Sequence, residues 1–179
     1  MQTRKHAQIC ALRERYLLQT EYFNNKIDVK DLSYTPYTGF DAHDAEFKKT
    51  ITNPDIEFNC VMETKCRYNK MNGWNGITPW DGWVLEKKKY DELMNQFKDK
   101  HYIYYILFFE DGYILFDLKQ IKEFNWKTTL YPKDSYGGEL IEKVECDLFR
   151  RDAIEIVDKK INIYKAYDMM SEEWERNHK

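Results

Sequence analysis

Glycine and proline are scarce in this chain, at 7 and 4 of 179 residues. No glycine-rich phosphate loop is present, which removes the common nucleotide-hydrolase reading. No Ser-His-Asp arrangement can be argued from the sequence, so a serine-hydrolase reading has no footing. The four cysteines (Cys10, Cys60, Cys66 and Cys146) form no CxxC pair. That spacing speaks against zinc and favours reduced, mostly buried thiols. No apolar run approaches the roughly 20 residues that a membrane-spanning helix requires. The basic start, Met1 to His6, leads into a mixed-polarity segment rather than a signal-peptide apolar stretch. A cytoplasmic protein without a membrane partner is expected. No repeat, low-complexity tract or linker divides the chain, so one domain over 1–179 is expected, large enough to need no disulfides.

Aromatic side chains are plentiful, at 16% with 14 Tyr and 5 Trp. Core packing is their ordinary use, and base stacking is the second. The formal net charge of −3 argues against coating nucleic acid by bulk electrostatics. It leaves room for an acidic reaction centre beside a local basic track.

Apolar spacing predicts a helix over His6–Phe23. Asn24–Leu32 is polar, and Ser33–Gly39 reads as a turn-rich approach. Phe40–Thr52 and Ile56–Cys66 are strand candidates joined by Thr52-Asn53-Pro54-Asp55, a good turn sequence. Asn69–Gly82 reads as a loop containing Trp74 and Trp80, followed by Trp83. A second helix is expected over Val84–Lys98. Tyr102–Phe109 reads as a strand buried on both faces, paired with Tyr113–Leu118 through the Asp111-Gly112 turn. Thr128–Gly138 reads as irregular and Glu139–Arg151 as a helix. Ala153–Val157 and Ile161–Tyr164 read as short strands, and Ser171–Lys179 as a polar helix or tail. The fold class is α/β, a mixed central β-sheet flanked by helices.

The informative segment is Val61-Met62-Glu63-Thr64-Lys65-Cys66-Arg67. Strand alternation puts Glu63 and Lys65 on one face with Val61. Charges there are costly to bury unless a metal, a phosphate or each other supplies the opposite charge. Asp41, at the start of the preceding strand, falls near Glu63 if the two strands form a hairpin. Two carboxylates make an oxygen-rich site suited to Mg²⁺ or Mn²⁺. Asp44 is the rival for that place, and His43 reads as a bystander. The bland alternative is a surface ion pair on a half-exposed strand.

An acidic residue followed on the adjacent strand by Glu63-Thr64-Lys65 resembles the signature of the PD-(D/E)XK nuclease superfamily, the restriction-endonuclease-like fold. Gly39-Phe40 stands where the nominal proline would be. The element order extends the resemblance over about residues 6–118, with 119–179 as a C-terminal extension. The resemblance implies Mg-dependent hydrolysis of DNA, with Asp41, Glu63 and the Thr64 carbonyl holding the metal. It implies that Lys65 orients or deprotonates the attacking water. It further points to Glu14 on the first helix, with Glu21 as rival, and to Lys89 on the second. Arg67 and Lys70 are candidates for phosphate contact, or else a solvated charge cluster. A homodimer would suit double-strand cutting, and RNA or branched DNA remain alternative substrates. A second reading keeps the fold but idles the site, as a binding or structural module such as a phage virion component. The Trp-rich loop would then serve a protein partner.

Overall fold

The computed structural model describes residues 2–38, 43–50, 56–68, 70–72, 82–132 and 139–178. Helix α1 (Gln2–Leu17) has no Pro or Gly to interrupt it, and Arg15 in its last turn suits the helix dipole. It runs on through one wider turn at Leu18–Tyr22 and a tight turn at Phe23–Asn25. Three strands follow as an antiparallel meander: β1 (Val29–Tyr34), β2 (Ala45–Thr50) and β3 (Glu57–Cys66). Next come β4 (Gly82–Glu86), helix α2 (Lys87–Gln96) and β5 (Tyr102–Phe109). The run through β4 and α2 is the long crossover that lets β5 lie parallel to β3, with Glu63 opposite Tyr105.

Strand β6 (Gly112–Asp117) returns antiparallel to β5, and β9 (Glu155–Asp158) adds beyond it. The large sheet therefore has the order β1-β2-β3-β5-β6-β9. Strands β7 (Lys127–Pro132) and β8 (Leu140–Phe149) join β4 in a second antiparallel sheet, β4-β8-β7. Helix α3 (Ile163–Asn177), capped by the Asn162 side chain on the Lys165 N–H, packs on α1.

The large sheet is covered on both faces. On one, Leu17, Leu18 and Phe23 pack with Met62, Tyr104, Ile106 and Phe108. On the other, Val61, Ile103, Leu107 and Phe109 meet Leu93 of α2 and Trp83, Leu85 and Leu148 of the small sheet. Strand β5 is thus buried on both faces, as its unbroken apolar run predicts. Each fully buried side chain of this kind contributes about 1.5–3 kcal/mol. Among the described residues, no helix is long and apolar enough to cross a membrane.

Several boundaries differ from the sequence expectation. Glu139–Arg151 is not a helix but mostly strand β8. Leu140, Val144 and Leu148 fit a helical stripe, yet Val144, Cys146 and Leu148 also alternate. Pairing with both β4 and β7 selects the strand. Val84–Glu86 is strand rather than the first turn of α2, again because β8 pairs with it. Lys127–Pro132 is an edge strand where an irregular stretch is expected, and Val29–Leu32 belongs to β1. Ile163 and Tyr164 open α3 instead of a strand. Within the 119–179 extension, β9 completes the large sheet and β8 joins the two others of the small one.

A carboxylate and lysine cleft as the candidate active site

The cleft follows from an unequal strand ending. Strand β2 pairs with β3 only as far as Ala45 opposite Met62, whereas β5 continues to Phe108 opposite Cys66. Past that point no strand among the described residues pairs with that edge of β3, and buried backbone N–H groups need acceptors. Two carboxylates supply them. Asp44, whose own N–H bonds the Met62 carbonyl at 2.9 Å, turns its carboxylate onto the Thr64 N–H at 2.7 Å. Glu14, from α1, accepts the Cys66 N–H at 3.2 Å. The Thr64 carbonyl points to the same open edge as its N–H, by strand geometry.

Glu63 and Lys65 lie on the face that α2 covers. Glu63 is only 2% exposed. Its Oε1 lies 2.8 Å from Lys65 Nζ and 3.2 Å from Lys89 Nζ, so two ammonium groups share one carboxylate oxygen. Lys65 Nζ also stands 4.0 Å from Glu14 Oε2. Lys89 arrives because α2 buries Leu93 one turn further on, which turns the preceding turn of the same stripe toward β3. Glu14, Asp44, Glu63, Lys65 and Lys89 together line one cleft of about 300 Å³, with Arg4, Arg15 and His43 at its margins.

Electrostatics of the cleft are those of crowded carboxylates. Burial raises the Asp44 pKa well above the usual carboxylate range, and repulsion from Glu63 and Glu14 raises it further. Burial raises Glu14 as well; Lys65 opposes that shift and Glu63 adds to it. Burial works to lower Lys65, but Glu14, Glu63 and Asp44 outweigh it, and its pKa stands well above the ordinary lysine value. Lys65 is therefore a firm cation.

Among the described residues, no group of three or more His, Cys, Asp or Glu side chains is arranged to hold a metal ion. Mg²⁺ asks for less. It is held through one or two carboxylates and keeps several waters. Asp44, Glu63 and the Thr64 carbonyl make a donor set of that size. Burial first and the neighbouring carboxylates second disfavour charge on Asp44, and a divalent cation in the cleft that Asp44 and Glu63 line would offset both, so the donor set fits the ion.

Of the sequence candidates, Glu14, Glu63, Lys65 and Lys89 come together here, with the Thr64 backbone among them. Asp41 lies outside the described residues, and the acidic side chain seen beside β3 is its rival Asp44. Asp41 is the sequence preference because it starts the expected strand, whereas the described strand β2 begins at Ala45, one residue after Asp44. Glu21, the rival of Glu14, pairs instead with Lys159 at 2.8 Å. His43 is buried, with Nε2 3.2 Å from Glu46 and its ring edge-on to Phe97. Arg67 donates to the Val84 carbonyl at 3.1 Å, while Lys70 lines a separate cleft near Asp111. Trp83 is core, against Phe109 and Phe116. Trp74 and Trp80 lie outside the described residues.

Arg4 and Arg15 were not foreseen at the cleft. The signal for them is the recurrence of Arg4, Gln8, Ala11 and Arg15 at helical spacing on the α1 face that also carries Glu14. No protein-family model matches the chain, and no curated protein sequence matches it.

Proposed function

We propose that the protein is a metal-dependent nuclease of the restriction-endonuclease-like kind, hydrolysing phosphodiester bonds in DNA. The observation that carries this reading is the convergence of Glu14, Asp44, Glu63, Lys65 and Lys89, from separate elements, on one cleft. The element order supports the finer fold reading. Helix α1, an antiparallel β1–β2–β3 meander ending in Glu63-Thr64-Lys65, helix α2 and a parallel β5 follow the order that the resemblance implies.

Asp44, Glu63 and the Thr64 carbonyl would hold Mg²⁺ or Mn²⁺. When bound, such an ion polarises a phosphoryl oxygen and lowers the pKa of a bound water. Lys65, held protonated by three carboxylates, orients water and offsets charge developing on the phosphate. Lys89 adds a second positive charge at the same carboxylate oxygen. Glu14 keeps Lys65 aimed and fixes the Cys66 N–H, so it acts as a positioning residue.

One observation favours the idle-site reading: Lys65 and Lys89 already offset the charge of Glu63 without a metal. The deciding experiment titrates Mg²⁺ and Mn²⁺ into the wild type and into Asp44→Asn, Glu63→Gln, Lys65→Ala and Asp41→Asn. Cleavage of plasmid, single-stranded, branched and RNA substrates is read beside thermal stability. We expect metal-dependent cutting that drops about 10²-fold or more in the Glu63 and Lys65 variants, the scale of losing one preorganised charge-stabilising group. A wild type that neither responds to metal nor cuts any substrate would overturn the nuclease reading and leave a binding module.

A further inference from the structure

A second cleft, of about 320 Å³, lies on the far side of Lys65 and Lys89 and shares both residues with the first. Its walls come from the end of β3, from β4 and β5, and from the β7–β8 hairpin. Arg67 and Lys143 add two more cations, so four positive charges face the two carboxylates Glu86 and Glu145. The first cleft balances Arg4, Arg15, Lys65 and Lys89 against Glu14, Asp44 and Glu63. Lys65 and Lys89 are common to both clefts and pair with Glu63, and Lys143 pairs with Glu86, so what the second cleft adds is the Arg67 guanidinium and a lysine that a phosphate could draw from its carboxylate.

The added cations are built in rather than scattered. The Arg67 guanidinium is anchored on the Val84 carbonyl by Nη2 at 3.1 Å, one donor of a five-donor fork whose shape suits a phosphate. Lys143 Nζ is held by Glu86 at 2.6 Å and lies over the Tyr131 ring at 5.6 Å. The Tyr131 hydroxyl in turn donates to the buried Glu145 carboxylate at 2.9 Å. The hairpin that supplies Tyr131, Lys143 and Glu145 has no part in the Glu63–Lys65 centre, so its place in this cleft calls for a separate explanation.

We propose that this second cleft is an anion subsite, in which Arg67 and Lys143 take a backbone phosphate of the nucleic-acid strand next to the one being cut. This assignment rests on the nuclease reading. Phosphate neutralisation releases counterions, so each lost contact makes binding less steeply dependent on salt, by about 0.9 in log–log slope on duplex.

The test measures binding of a fluorescein-labelled duplex by anisotropy, in Ca²⁺ to hold off cutting, across a salt series. The proteins are the wild type, Arg67→Gln, Lys143→Gln and Lys88→Gln. Lys88 is a control on α2, with its side chain 87% exposed. Melting curves accompany each variant, and Lys143→Gln, at a partly exposed position, carries the result should Arg67→Gln fold poorly. The expected result is binding weakened by roughly tenfold, with a slope shallower by about 0.9 in each cleft variant and neither change in Lys88→Gln. Suppose the wild type binds and, in Mg²⁺, cuts, while Lys143→Gln and a folded Arg67→Gln match the Lys88 control. The subsite is then wrong and the nuclease reading stands. A wild type that shows no salt-dependent binding and no cutting overturns both.

Discussion

Glu63 Oε1 stands 2.8 Å from Lys65 Nζ and 3.2 Å from Lys89 Nζ, while Asp44 and Glu14 crowd the same cleft. This has a stability consequence. A carboxyl whose folded pKa stands above its unfolded value stabilises the fold below that unfolded value. The stabilisation is lost as pH rises through the folded pKa. Asp44 and Glu14 are both of this kind, against ordinary values of 3.8 and 4.5. In EDTA, the melting temperature should therefore fall as pH climbs from acid toward neutral. Asp44→Asn, which keeps an acceptor for the Thr64 N–H, should melt higher than the wild type at pH 7 and show less of that fall. Mg²⁺ at ten times its Kd should raise the wild type by about 1.4 kcal/mol, roughly 3 °C for a chain of this size, and Asp44→Asn by little. Scanning calorimetry with and without Mg²⁺ checks both. An Asp44→Asn variant that melts lower than the wild type in EDTA at pH 7 would show that the crowding is not costly. Lys65→Ala moves the other way at neutral pH, because three carboxylates lose their shared counter-charge. The expected loss is about 1–2 kcal/mol, discounted because the lysine is part-exposed.

Among the elements, the β5–β6 hairpin and β9 show how backbone chemistry sets the sheet. Gly112 has φ +148°, and a Cβ there would stand 2.0 Å from the Val157 carbonyl oxygen of β9. Gly112→Ala should cost about 3 kcal/mol through strain and lost β9 pairing. Denaturant unfolding with an unchanged m-value would bear that out, and a variant within about 0.5 kcal/mol of the wild type would refute it. The Asp111-Gly112 turn was legible in the sequence because its dihedral demand is local. So was the Glu63-Thr64-Lys65 triplet, whose charges stand at the end of an apolar strand. Lys89 was legible through its spacing from Leu93 on α2, although Leu85, the other residue of the expected stripe, lies in β4. Asp44 was weighed but not chosen, since its place depends on where β2 stops pairing with β3, and that is a non-local fact. β8 was misread for the same kind of reason. Leu140, Val144 and Leu148 satisfy helix and strand periods alike, and only the strands on either side decide. The cleft shared by Lys65, Arg67 and Lys143 was not legible at all, because its far wall is that misread strand.

Across the whole molecule, the C-terminal third bears on the candidate centre through α1. Helix α3 packs on α1, where Ile9 and Leu12 bury against Met170, flanked by Tyr16, Tyr37, Tyr167 and Trp174. Trp174 Nε1 donates to Gln8 at 2.9 Å, and Lys5 pairs with Glu175. Glu14 falls between Leu12 and Tyr16 of this patch along α1, and its carboxylate spans from α1 to the Cys66 N–H of β3. Loosening α3 should therefore free Glu14 before it disturbs β5, which is buried on both faces. Met170→Ala removes a side chain that is 7% exposed, and truncations of that kind cost about 2–5 kcal/mol. Amide exchange should quicken along α1 and at Cys66 while the β5 amides keep their protection. Uniform acceleration through β5 as well would mean that α1, α3 and the sheet open as one unit, and Glu14 would then have no separate coupling to α3. Under the nuclease reading, the selective outcome carries a kinetic signature. Cutting should slow in Met170→Ala by more than the folded fraction explains, and Glu14→Gln should abolish that excess, since the positioning it depends on is already lost.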